Sequence, residues 1–306
     1  MSKIDINKLL KGRQPKDIDE LNRILQEEML RLNDSPRREF CGVSPNQMRF
    51  LVYDPFAEGS SFGFRTFDPA VLDACPFFLL AEDMLRRTVL TNSPFALTTS
   101  TASLPVKVVK SLCEGTTLKD DWLDRGINHV SKETDAPAIH VCKIVLELSG
   151  VVRKQQKKWH LTKKGQKLVQ PTQRVALFQE LFCAFTMKYN WAYQDRYGHR
   201  KAAQIAFAFS ISLLSHFGGV ERKAAFYAQK YLTAFPMLIE ECPPNEWMSP
   251  EREITNCFAT RFFERFALYW GLAEISGPGD PLKLSENIVR KSRMLDQVFR
   301  VPVMKG

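Results

Sequence analysis

Between Glu147 and Glu180 the chain carries no acidic residue, while Arg153, Lys154, Lys157, Lys158, Lys163, Lys164, Lys167 and Arg174 supply all but one unit of its net charge of +9. A cluster of this kind can neutralise phosphates and release their condensed counterions, giving salt-sensitive attraction to nucleic acid with little sequence information. Trp159 and His160, inside the same interval, add stacking or groove-contact capacity. Two other readings fit the residues: a solvated basic face that only keeps the protein soluble, or a surface for an acidic protein partner.

Catalytic chemistry has no comparable signal. His129, His140, His160, His199 and His216 are scattered, and no HxxxH, HExxH or GxSxG spacing occurs. The seven cysteines lie at least 15 residues apart without a CxxC pair, so free thiols in a reducing compartment are expected, with no metal and no cofactor. Asn190 to His199 gathers an Asp, an Arg and a His within a polar-aromatic run, which reads as an interhelical loop rather than a pocket. Phe258, Phe262, Arg265, Phe266 and Tyr269 recur at helical steps and read as a core face. The protein is thus expected not to be an enzyme.

These residues need a scaffold, and 306 residues with 44% apolar and 25% charged composition can build a globular one of two or three domains. The N-terminus has no continuous apolar h-region, and Ala202 to Val220 is interrupted by polar residues. A cytoplasmic protein without a membrane partner is expected. Helices are expected over 15–32, 44–53, 76–90, 105–114, 137–149, 172–189, 201–217, 221–235 and 249–270. Strands are expected at 95–99, 151–154, 158–161, 272–275 and 286–291. Residues 54–69 form a loop whose phenylalanines pack on the body. The fold class is mainly α with short β-hairpins, divided at 1–70, 71–170 and 171–306.

The order helix, strand, helix, helix, hairpin over about residues 75–168 resembles a winged helix-turn-helix module. Leu146-Glu147-Leu148-Ser149-Gly150-Val151-Val152 and Trp159-His160-Leu161-Thr162-Lys163-Lys164-Gly165 carry the likeness. It implies DNA binding through the third helix and the wing, and places Arg153, Lys154, Lys157, Lys158, His160, Lys163, Lys164, Lys167 and Lys143 as the contacting residues. One departure is a stretch of about 20 residues between the second and third helices, where a compact module uses three or four. The third helix offers few groups for base contacts, with Asn128 and Lys132 in the loop before it, so low sequence specificity follows. Leu268-Tyr269-Trp270-Gly271-Leu272 echoes the helix-into-glycine step and suggests a second, similar unit at the C-terminus. Asn190-Trp191-Ala192-Tyr193, Phe226-Tyr227-Ala228, Ala234-Phe235-Pro236 and the ending Arg290 to Phe299 resemble an uncharacterised family of bacterial and plasmid-borne proteins without an assigned activity. The functional expectation is a nucleic-acid-binding regulatory or accessory protein. The alternative is an interaction scaffold in which the winged helix is a packing or dimerisation unit, with a second copy of the chain as one possible partner.

Overall fold

A computed structural model describes residues 10, 13–90, 95–98, 102–118, 129–195, 197–198, 201–242, 248–277 and 283–305. The local chemistry that starts each helix is visible at the caps. The Asp17 carboxylate accepts from the Glu20 N–H at 2.7 Å to open α1 (Ile18–Asp34), and the Ser44 hydroxyl accepts from Gln47 N–H, with Pro45 in the first turn, to open α2 (Pro45–Tyr53).

Two stretches of the chain then repeat one plan. The first runs α3 (Pro76–Leu90), β2 (Phe95–Ala96), α4 (Val106–Gly115), α5 (Pro137–Leu148), β3 (Val152–Gln155) and β4 (Lys158–Leu161), with antiparallel strands in the order β2-β4-β3. After the central helix α7 (Arg174–Met187), the second runs α8 (Phe207–Phe217), β5 (Arg222–Lys223), α9 (Ala224–Ala234), α10 (Met237–Glu240), α11 (Pro250–Phe258) continued by π-helical turns (Ala259–Ala267), β6 (Ala273–Ser276) and β7 (Ile288–Lys291). Its antiparallel order, β5-β7-β6, is the same.

The correspondence extends to single bonds. Gly150 and Gly271 leave the helices that run into the two hairpins at φ +73° and +64°, a left-handed turn that side chains with a Cβ disfavour. Past each hairpin, Thr162 donates from its N–H to the Val151 carbonyl (3.0 Å) and from its hydroxyl to the Gly150 carbonyl (2.7 Å). Ser292 does the same to Leu272 (2.9 Å) and Gly271 (2.5 Å). Each of these residues then opens a short helix, α6 (Lys163–Leu168) and α12 (Arg293–Val298).

The helix α7 is apolar on most of its circumference because it lies at the centre. Phe182 meets Trp270 and Phe299 at 4.9 Å between ring centroids and Phe266 at 5.7 Å. The loop after α2 packs down as its phenylalanines require: Phe56 stacks on Phe64 at 5.1 Å, and β1 (Gly63–Phe64) pairs with β8 (Phe299–Arg300). The buried core consequently runs from Cys41 to Met304 through all three expected domains. In the loop after α7, Asp195 accepts from Arg261 Nε at 2.5 Å, both side chains fully buried, and Arg261 also donates to the Gly198 and Ala202 carbonyls. Arg196 and His199 of that run lie outside the described residues. No helix among the described residues is long and apolar enough to cross a membrane.

Candidate nucleic-acid interface

The register of the β3–β4 hairpin fixes which of its side chains share a face. Arg153 is opposite His160 and Gln155 opposite Lys158, so these four project together, while Lys154 lies opposite Trp159 on the other side. The two sides have separate jobs. Trp159 is fully buried and donates from its indole N–H to Glu147 at 2.9 Å, and the same carboxylate takes Lys154 Nζ at 3.1 Å. Arg153 and Lys158 are exposed, and His160 is half-buried beside them.

Sorting the eight cations of the acid-free interval by partner divides them again. Lys154 is held by Glu147, Lys164 by Glu180 at 2.5 Å, and Arg174 by Glu82 and Asp73, each at 2.7 Å. Arg153, Lys157, Lys158, Lys163 and Lys167 have no carboxylate partner among the described residues, and all five are exposed. The capping hydroxyl of Thr162, which accepts from Gly165 N–H at 3.0 Å, starts the helix that carries the last two, one turn apart on one face. The free charges therefore extend from the hairpin onto the first turns of α6. Sequence reasoning missed the pairing of these three cations because their acids stand 7 to 101 residues away in the chain, all of them outside the basic interval or at its edges.

Lys143 is a correction. Expected to face a nucleic acid, it is 4% exposed, and its ammonium donates to both oxygens of Glu133 at 3.0 Å and to the Ala102 carbonyl at 2.9 Å. His140 Nδ1 sits 2.6 Å from the same carboxylate, which also accepts from the Leu104 N–H. Burial pushes the Glu133 carboxyl up, but the hydrogen bonds from His140, Leu104 and Lys143 outweigh it and hold the group below its ordinary range. Glu133 stands in a separate 3-10 turn ahead of α5, so helical spacing along the sequence does not announce its pairing with His140 and Lys143. Along the rest of α5 only Leu148 is exposed and six residues are half-buried, and the helix contains no Arg, Asn or Gln for bidentate base contacts. Lys132 is exposed ahead of it, while Asn128 lies outside the described residues.

The second hairpin differs in charge. Exposed Glu274 pairs across the ladder with Arg290, so this face carries both signs. The first hairpin has another distinction at its tip, where Gln156 and Lys157 adopt φ of +50° and +57°. A two-residue loop of this kind is the primed turn that favours Asn-Gly, and side chains bearing a Cβ cost about 1–2 kcal/mol each there. Replacing Gln156 with Asn and Lys157 with Gly is expected to stabilise the protein by about 1 kcal/mol, after the larger unfolded-state entropy of Gly is set against the relief. Urea denaturation measures it, and a loss of stability would show that the tip is unstrained.

All seven cysteines are free thiols, and burial pushes Cys75 up to about 12 and Cys142 up as well, which leaves both unreactive. No three His, Cys, Asp or Glu residues among those described are grouped to hold a metal ion. Comparison of the chain with family models, with curated proteins and with solved structures finds no match, so what the site does has to be argued from its own geometry.

Proposed function

We propose that this protein binds duplex nucleic acid, most simply DNA, through the basic hairpin of a winged-helix-like unit, as a regulatory or accessory factor of low sequence specificity. The observation that carries the reading is the set of five exposed cations without carboxylate partners among the described residues, Arg153, Lys157, Lys158, Lys163 and Lys167, confined to one hairpin and the helix it feeds. The repeated element order supports two such units in tandem, the first charged for phosphate and the second balanced. Phosphate contacts position a protein on a duplex, and base contacts specify; a third helix that is half to fully buried over most of its length and has no Arg, Asn or Gln leaves mainly the former.

That same burial favours the second reading, a scaffold whose winged-helix-like unit is a packing element. One titration separates them. Duplexes of unrelated sequence should bind with similar affinity, and the slope of log K against log salt should be about −4 to −5 if the five cations each meet a phosphate. Absence of binding at low salt, or affinity indifferent to salt, would leave the scaffold.

A further inference from the structure

A second group of cations converges at a cleft of about 680 Å3 that shares no lining residue with the hairpin. Three chain segments build it. The tight loop 36–43, closed by Gly42 N–H to the Arg37 carbonyl at 2.8 Å, brings Arg37 and Arg38; α9 brings Lys230; and the C-terminal stretch brings Lys305, whose N–H donates to the Cys41 carbonyl at 2.8 Å. Glu39 is the one carboxylate among the described residues of the lining, and it is exposed.

Arg37 and Lys230 are half-buried, yet neither has a carboxylate partner among the described residues. The Lys230 ammonium instead rests over two rings, 5.3 Å from the Phe217 centroid and 5.6 Å from that of Phe226, and the Arg222 guanidinium lies 4.5 Å from Phe226 as well. Partly desolvating like charges in one place, without counter-charge, costs folding energy, and the aromatic faces offset only part of it. Residues this far apart in sequence converge on that arrangement only through the tertiary fold. The chemistry of the lining suits an anion with several oxygens, since Arg37 and Arg38 each offer a planar fork and Lys230 and Lys305 offer point charges.

We propose that the cleft between the 36–43 loop, α9 and the C-terminal stretch is a phosphate-binding site, recognising either a free phosphorylated small molecule or the backbone of a bound nucleic acid. Its volume lies within the usual range for small-ligand sites.

Inorganic pyrophosphate is the probe, compared with sodium chloride at equal ionic strength. A saturable rise in Tm of roughly 5 °C is expected at about a hundredfold excess over Kd, and calorimetric affinity should fall at least tenfold in Arg37→Gln/Lys230→Gln. Should that variant not fold, Arg38→Gln/Lys305→Gln alters only exposed side chains and is expected to weaken binding several-fold. Competition with a short duplex distinguishes the sources: displacement of pyrophosphate identifies backbone phosphate, and simultaneous binding identifies a free ligand. Chloride matching the effect of pyrophosphate, or unchanged affinity in a folded variant, would overturn the site. The site stands apart from the hairpin reading, because charge reversal on the hairpin should leave the pyrophosphate response intact.

Discussion

Reversing Arg153, Lys157 and Lys158 to glutamate is expected to lower duplex affinity by about two to three orders of magnitude at low salt while leaving the melting transition nearly in place. Three attractions toward the phosphate backbone become three repulsions, and counterion release accounts for most of the affinity of a binder that makes few base contacts. All three side chains are exposed and none is paired with a carboxylate among the described residues, so each substitution should alter stability within about 0.5 kcal/mol. Choosing unpaired cations matters. Lys154→Glu would instead place a second carboxylate against Glu147, the acceptor for the Trp159 indole, and would confuse a folding defect with a binding defect. Arg290→Glu on the second hairpin is the matched control: it sits across from Glu274 on a face of mixed charge, and its effect on binding should be slight. A triple variant that melts like the wild type and binds duplex as tightly would show that the hairpin is not the interface.

Much of the first unit is legible in the sequence because its signals are local. The α3 boundaries follow from Pro76 and the apolar run to Leu90, and β4 from the alternation Trp159, Leu161 bounded by turn and cap residues. The glycine after the helix that runs into each hairpin announces the repeat, since the same left-handed exit is required twice. Local signals fail where tertiary structure decides. The strand β5, two basic residues long, has no alternation to read and exists because β7 lies beside it. The expected helix from Lys201 begins only at Phe207, with Ala203 and Ala206 held at positive φ in the preceding turns, a conformation that no propensity assigns to alanine. The candidate site follows the same division. Its location is written in the charge run, but which lysines are free depends on Glu147, Glu180, Glu82 and Asp73, and those partners are set by the fold. Lys143 illustrates the limit: its helix position is local, its burial against Glu133 is not.

Replacing Glu133 with glutamine should destabilise the protein by about 3–5 kcal/mol, the usual cost of leaving a buried charge without its partner. Glu133 is 1% exposed and receives Lys143, His140 and the Leu104 N–H, so it ties the start of α5 to the segment ahead of α4. The amide cannot balance the Lys143 ammonium, and its NH2 would confront one of the existing donors. The pH dependence gives a second readout. A carboxyl whose pKa is depressed on folding adds stability that is present above its unfolded value and lost as pH falls through its folded one. Wild type should therefore lose this increment on acidification below the ordinary carboxyl range, and the glutamine variant should lack it. Glu133→Leu combined with Lys143→Met removes both charges and should recover most of the loss, since paired replacement by apolar groups of similar volume is often neutral. Urea titrations of the single and double variants at neutral and acid pH measure all of this. A glutamine variant as stable as wild type at neutral pH would show that Glu133 is not what holds Lys143 in the interior, since Ile139, Cys142, Val145 and Leu146 keep α5 in the core in either case.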